Sequence, residues 1–551
     1  MKNTKRVAML LLFVAAIVSS NFSSAQNLET TFDKLLSENY SGEKPGATAL
    51  VYKDGKVLYR NAVGMANLEL GVAMKPENVI EIGSITKQFT AVAILMLMEQ
   101  GKLSVDDEIT KFIPDYPANG KKITVHNLLN HTSGIKSYTG MESFMALARQ
   151  DMTPTELIDH FKNEPMDFNP GEEWRYNNSG YIILGHIIEV VSEKPYAEFI
   201  EENIFTPLGM KSSYYGSMTQ LIPNRATGYS PAENGWRNSN YLSLTLPYAA
   251  GSLMSTVDDM LLWHQAIHNN TLLKSESKMM AFTNTKLKNG DPTNYGYGWM
   301  INEINGSSSI EHGGGIFGYT TAGIYVPKNN LYVIILTNRD GSSPNNVAVK
   351  IAAHALGKPY PDTSEAVTLS NNQLEKWVGN YEYENEVFRS ISFEDGKLFS
   401  QREGSNILPI FPLNESKFIF EDGFTSYNFS LEDGKRIANF SARGSKGKGV
   451  ETDKKPATEK EEISIDPKIL PEYVGEYKLA PSFILTVTTK GDRLFTQATG
   501  QPQLEVFPEA VDTFFLKVVA AKLVFGRDDS GKVSHVTLYQ GGQEIKGEKK
   551  D

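Results

Sequence analysis

The chain has 551 residues, with 54 lysines and arginines against 65 aspartates and glutamates, 40% hydrophobic residues and no cysteine. Such a length suits three or four domains, and such a composition belongs to a folded protein with a sizeable core rather than a disordered or fibrous one. A formal charge of −11 argues against nucleic acid as a partner, and the missing cysteine excludes disulfides, thiolate catalysis and sulfur-ligated zinc.

The chain begins with Lys2, Lys5 and Arg6, continues with an apolar run from Val7 to Val18, and reaches the small residues Ser23-Ser24-Ala25. This is the layout of a secretory leader cleaved after Ala25, and its apolar stretch is shorter than the ~20 residues that span a bilayer. Removing residues 1–25 leaves 51 basic against 65 acidic residues, a charge of −14. The expectation is a periplasmic or secreted protein with no stable membrane span after cleavage, held together by packing alone.

From residue 26 to 358, helical and strand patterns alternate as in one large α/β or α+β domain. Gly46 to Gly64 predicts a hairpin turning at Asp54-Gly55, and residues 299–338 predict three further strands ending in the apolar run Leu331 to Leu336. Helical patterns lie between, over Ser84–Gln100 and Tyr181–Val191, so the expected sheet takes strands from both ends of the domain.

Beyond residue 358 an internal repeat appears at an offset of 96 residues: Leu374, Trp377, Gly379 and Tyr381 recur as Leu470, Tyr473, Gly475 and Tyr477, and Phe418 as Phe514. Two small β-barrels follow from this, at residues 370–443 and 465–551, with the Gly/Lys/Glu-rich stretch 444–464 read as a flexible linker. Neither copy carries a catalytic cluster, which suggests substrate-gating, spacer or interaction modules.

Within the first domain, Ser84-Ile85-Thr86-Lys87 places a lysine one helical turn from a serine, close enough to take its proton if burial keeps the amine neutral. Spacing alone does not select it, because Ser41/Lys44, Ser133/Lys136, Ser275/Lys278 and Ser445/Lys448 match too. Context does: Gly83 precedes Ser84, and Phe89 to Met98 is apolar all round, which puts the serine at the mouth of a buried helix. Tyr176-Asn177-Asn178 offers a phenol that a nearby lysine could tune and an amide that could orient a substrate. Glu311-His312-Gly313-Gly314-Gly315 ends a predicted strand, its glycines permitting close approach of a ligand to backbone N–H groups. His264 and His268 read as a surface pair, and His131-Thr132-Ser133-Gly134 as a turn ending a helix. No nucleotide or calcium motif appears, so no cofactor and no metal are expected.

In this order the three segments resemble the S-x-x-K, Y-x-N and [KH]-x-G motifs of the serine β-lactamase and penicillin-binding protein superfamily, and most closely its class C β-lactamase-like serine hydrolases, the D-aminopeptidase/esterase-like branch. Leu128 to Gly134, Ala250 to Ser255 and Tyr295 to Trp299 add to the likeness, which spans roughly residues 30–355. The resemblance implies a β-lactamase/transpeptidase-like α+β domain, an antiparallel sheet flanked by helices, before the two repeated all-β barrel-like domains. It implies Ser84 as nucleophile, Lys87 and Tyr176 as base and acid, Asn178 on the acyl side of the substrate, and a Gly315 N–H in the oxyanion hole beside Gly314. His312 and Gly313 stand where β-lactamases and transpeptidases carry lysine and a hydroxyl residue, which disfavours carboxylate-bearing β-lactams. The expected activity is cleavage of an ester or amide in a D-aminoacyl, peptide or small ester substrate. A penicillin-binding or sensor protein without turnover, or a β-lactamase or DD-carboxypeptidase, is the alternative.

Overall fold

Asp54 and Gly55 both adopt positive φ (47° and 86°), and the tight turn they make joins strands Ala47–Lys53 and Lys56–Val63. In the computed structural model, which describes residues 27–384, 387–454, 462–480, 483–499, 503–517, 521–540 and 543–550, this hairpin is one edge of a six-stranded antiparallel sheet. The leader expected at residues 1–25 lies outside the described residues. The other strands are Met300–Ile304, Ser307–Ile316, Tyr319–Val326 and Leu331–Thr337, and the last of these pairs with Ala47–Lys53, Ala47 opposite Thr337. The sheet is thus assembled from both ends of the domain, with four late strands where three are expected. The uncounted turn is Asn305-Gly306, both at positive φ, which splits what reads as one strand into a hairpin.

Every residue of Tyr319–Val326 and Leu331–Thr337 is buried, because helices cover both faces of the sheet. By register Tyr59, Val51 and Val333 share one face, where Phe32 of the helix at 27–40 meets Tyr59 edge-on. On the other face His264, from helix Val257–His268, stacks flat on Tyr332 at 4.3 Å. His264 is only 3% exposed, so it is no member of a surface pair: its ring serves as an aromatic filler against the sheet. Among the described residues no group of side chains is arranged to hold a metal, and no helix is long and apolar enough to cross a membrane. Inside the helical layer, Thr86–Glu99 is buried on nearly all sides, as the largely apolar stretch Phe89 to Met98 predicts, and Asn178–Ser192 packs along it.

The chain divides into two units, one reaching Tyr360 and the other starting at Pro361. The second contains two closed eight-stranded antiparallel barrels, with strands running from Gly379 to Thr452 and from Gly475 to Lys549. The repeat is structural down to single bonds: Tyr381 donates its hydroxyl to Trp377 O and Tyr477 donates to Tyr473 O, each at 2.7 Å. The first barrel runs past its expected end. Ser445–Thr452, read as linker from its glycines and lysines, is the eighth strand and closes the barrel by pairing Asn380 with Thr452. Its glycines make room for an aromatic ring, since a Cβ on Gly449 would fall 2.4 Å from Cζ of Tyr383.

Candidate active site

Ser84 lies in a 3-10 turn, Gly83–Ile85, that runs directly into the buried helix Thr86–Glu99. Gly83 has φ +52°, and a side chain there would meet Gly315 N at 2.9 Å. The strand Ser307–Ile316 crosses this turn closely: a Cβ on Gly314 would fall 2.0 Å from Ile82 O and 2.3 Å from Thr321 Oγ1. Thr321 Oγ1 also donates to Ile82 O at 3.0 Å, locking strand and turn together. Two of these glycines are therefore needed for packing against the serine turn. Gly315 has nothing within 4 Å of its own Cβ position and is exposed, while Ser84 is partly exposed, so both border open space.

Lys87, three residues along, is 0% exposed. Its Nζ lies 3.1 Å from Ser84 Oγ, 2.8 Å from Asn178 Oδ1 and 2.8 Å from Ala250 O. Among the described residues no acid pairs with it, and burial pushes its pKa well below that of an ordinary lysine. Asn178 opens helix Asn178–Ser192, and its Nδ2 donates to Thr139 Oγ1 at 3.0 Å. Each end of that amide makes one bond, so Asn178 holds the lysine and keeps a second N–H and a second lone pair, and the contact with the lysine is one the sequence does not announce.

Tyr176 comes into the same cluster, with Lys87 Nζ 4.9 Å from its ring centroid. Its hydroxyl is buried and, among the described residues, without a hydrogen-bond partner, and Ser84 is the neighbour that favours its ionised form. Burial outweighs that influence and raises the phenol above its ordinary pKa, so at neutral pH Tyr176 holds its proton. The sequence-based picture of a phenol acidified by the lysine reverses, because a lysine kept neutral has no charge to lend.

His312 is 2% exposed, 5.9 Å from Tyr176 ring to ring. Its Nδ1 lies 2.6 Å from Gly313 O, which can only accept, so the ring proton sits on Nδ1 and Nε2 accepts from the Tyr295 hydroxyl at 3.0 Å. Burial, the largest cause, pushes its pKa down to about 3, leaving a neutral imidazole. The sequence-derived residues Ser84, Lys87, Tyr176, Asn178, His312, Gly314 and Gly315 all converge here. Sequence reasoning missed Thr139, Tyr295 and the Ala250 carbonyl as contacts of the cluster; a backbone carbonyl carries no signature, whereas Tyr295 stands in a motif recognised only for its likeness.

A family model described as Beta-lactamase matches residues 26–357, more than half of the chain. The chain belongs to the beta-lactamase family. Residues 459–549, the second barrel, match a domain of unknown function (DUF3471). Among relatives of this beta-lactamase-family chain, penicillin-binding protein 4* of Bacillus subtilis is 29% identical over 460 residues, covering 78% of this chain and 98% of that protein. A D-aminopeptidase of Gluconobacter oxydans is 26% identical over 346 residues, covering 61% and 64% respectively. Among solved structures, the octameric penicillin-binding protein homologue from Pyrococcus abyssi superposes with a TM-score of 0.55 at 28% identity, over 77% of this chain and 99% of that one. The D-stereospecific amidohydrolase from Streptomyces sp. gives 0.53 at 25% identity, over 60% and 99%.

Proposed function

We propose that the chain is an exported serine hydrolase that cleaves an ester or amide through an acyl-enzyme on Ser84. The observation that carries this reading is the set of partners around Lys87. A neutral amine has two N–H donors and one lone pair. Asn178 Oδ1 and Ala250 O, both at 2.8 Å, can only accept and take the two donors, which leaves the lone pair to face Ser84 Oγ at 3.1 Å.

In the reaction so built, Ser84 Oγ gives its proton to Lys87 Nζ and bonds to the substrate carbonyl carbon. The carbonyl oxygen becomes an oxyanion, which the N–H groups of Ser84 and Gly315 would stabilise; each such donor contributes about 3 kcal/mol in comparable sites. Tyr176, protonated, hands its proton to the leaving alcohol or amine as the carbon–heteroatom bond breaks, and recovers one from Lys87. Water then hydrolyses the ester on Ser84 by the same steps reversed. Neutral His312, with no hydroxyl beside it at Gly313, supports a substrate without a carboxylate at that position. The D-aminopeptidase and D-stereospecific amidohydrolase relatives support D-aminoacyl amides or peptides as the substrate class.

One observation favours a second reading: the relative matched along 98% of its length is a penicillin-binding protein, so penicillin could acylate Ser84 without release. Mass spectrometry of the chain treated with penicillin or a fluorophosphonate, alongside turnover of D-aminoacyl amides, short peptides, p-nitrophenyl esters and nitrocefin, separates the two. Transient acylation with turnover supports the hydrolase, and permanent acylation without turnover supports the binder. A Ser84→Ala chain hydrolysing esters at the wild-type rate ends both.

A further inference from the structure

His131 ends the short helix Val125–Leu129, but its surroundings exceed what a helix stop requires. It is 1% exposed and sits at φ +64°, a left-handed conformation that histidine adopts reluctantly and asparagine or glycine more readily. Its backbone carbonyl accepts from Arg175 N–H at 3.1 Å, and its Nδ1 accepts from Asn177 N–H at 3.2 Å. The two residues flanking Tyr176 are thus both tied to the same histidine. Between these ties the imidazole lies against the Tyr176 ring, centroids 4.3 Å apart, and 4.7 Å from Tyr295, the residue that hydrogen-bonds His312. Because Nδ1 accepts, the ring proton is on Nε2, which is buried and, among the described residues, without a hydrogen-bond partner. Burial pushes the imidazole toward its neutral form, the only form in which Nδ1 can accept.

We propose that His131 is the positioning residue for Tyr176, gripping the chain on both sides of the tyrosine and its ring from one face so that the phenol stays turned toward Ser84. A residue that merely ended the helix would need neither the ring contact nor the acceptor at Nδ1. The left-handed backbone at position 131 carries that acceptor to Asn177, which accounts for a histidine where glycine would fit more easily.

The inference rests on the acid–base role proposed for Tyr176, and a double-mutant cycle separates the two. The full chain and its His131→Ala, His131→Asn, Tyr176→Phe and His131→Ala/Tyr176→Phe variants would be assayed on a p-nitrophenyl ester, with rates normalised to Ser84 titrated by a fluorophosphonate. His131→Ala should lose at least tenfold in kcat per titrated site with KM within threefold of wild type. His131→Asn, which tolerates the backbone and restores an acceptor, should recover to within threefold of wild-type kcat. The double variant should be no slower than Tyr176→Phe, since a residue acting through Tyr176 has nothing left to hold. Wild-type kcat in His131→Ala beside an impaired Tyr176→Phe would overturn the inference alone, as would losses that multiply. A Tyr176→Phe chain at wild-type rate would overturn the role of Tyr176 and the inference with it. If His131→Ala fails to fold, His131→Phe, which keeps a flat ring on Tyr176 and removes only the acceptor, takes its place in the cycle with the same expectations.

Discussion

The catalytic unit and the barrels treat ionisable groups in opposite ways. In the first unit Lys87, His131, His264 and His312 are each at most 3% exposed, and among the described residues none of them pairs with a carboxylate. In the barrels the charged side chains stay partly exposed, as in Arg436 with Glu451 or Arg527 with Asp512 and Glu472, and the buried hydroxyls of Tyr381 and Tyr477 bond to backbone carbonyls. Burying an unpaired charge costs several kcal/mol, so such groups survive inside a protein by becoming neutral. The contrast shows where the chain accepts that cost: in the first unit, at His264 against the sheet and around the serine, where the proposed chemistry uses a neutral amine, and nowhere among the described barrel residues.

The largest test of this contrast is Lys87→Met, which keeps the volume and removes the lone pair. Turnover of any ester substrate is expected to fall at least 10³-fold, in line with losses from triad members in other serine hydrolases, while circular dichroism stays that of a folded chain. An active Lys87→Met protein would mean that the buried amine is structural. Next comes Gly314→Ala, whose Cβ must displace Ile82 O or Thr321 Oγ1. Forcing backbone apart at a packed contact is expected to cost about 1–3 kcal/mol and to lower kcat/KM by moving the serine turn. A thermal melt and a rate on the same sample check both.

A third test concerns pH and leaves the chemistry alone. Burial pushes the pKa of His264 down to about 3, against about 6.5 for an unfolded histidine. Between those values the unfolded chain takes up a proton that the folded chain refuses. The contribution is therefore complete above pH 6.5 and declines as pH falls toward 3, by up to about 1.4 kcal/mol per pH unit. His264→Phe, still able to stack on Tyr332, is expected to flatten the fall in Tm between pH 6.5 and 4, and parallel curves for the two proteins would refute this. The smallest effect is reserved for the barrels: Tyr477→Phe loses one buried hydrogen bond, about 1 kcal/mol, and should leave the rate per titrated serine unchanged.

Much of this molecule is legible in its sequence, for reasons that differ by element. Asp54-Gly55 dictates its turn through backbone conformation, Phe89 to Met98 declares a buried helix by having no polar face, and the repeat at 96 residues shows that the barrels are copies. What stays hidden depends on distant partners. Ser445–Thr452 looks like a linker until Tyr383 is seen lying over Gly447 and Gly449. His264 looks like a surface residue until Tyr332 is placed beneath it. At the site, spacing brings Lys87 to Ser84, but only the fold reveals that Asn178 and Ala250 occupy the other positions on the amine.

The pairing of Ala47–Lys53 with Leu331–Thr337 has a consequence for the order of events during synthesis. A nascent chain still short of residue 337 carries its serine and lysine but lacks the strand that completes the sheet. Contacts so remote along the chain form late and slowly. The sheet that backs the serine turn can therefore be completed only once the chain has been made as far as Thr337, and a ribosome-bound fragment shorter than that lacks it.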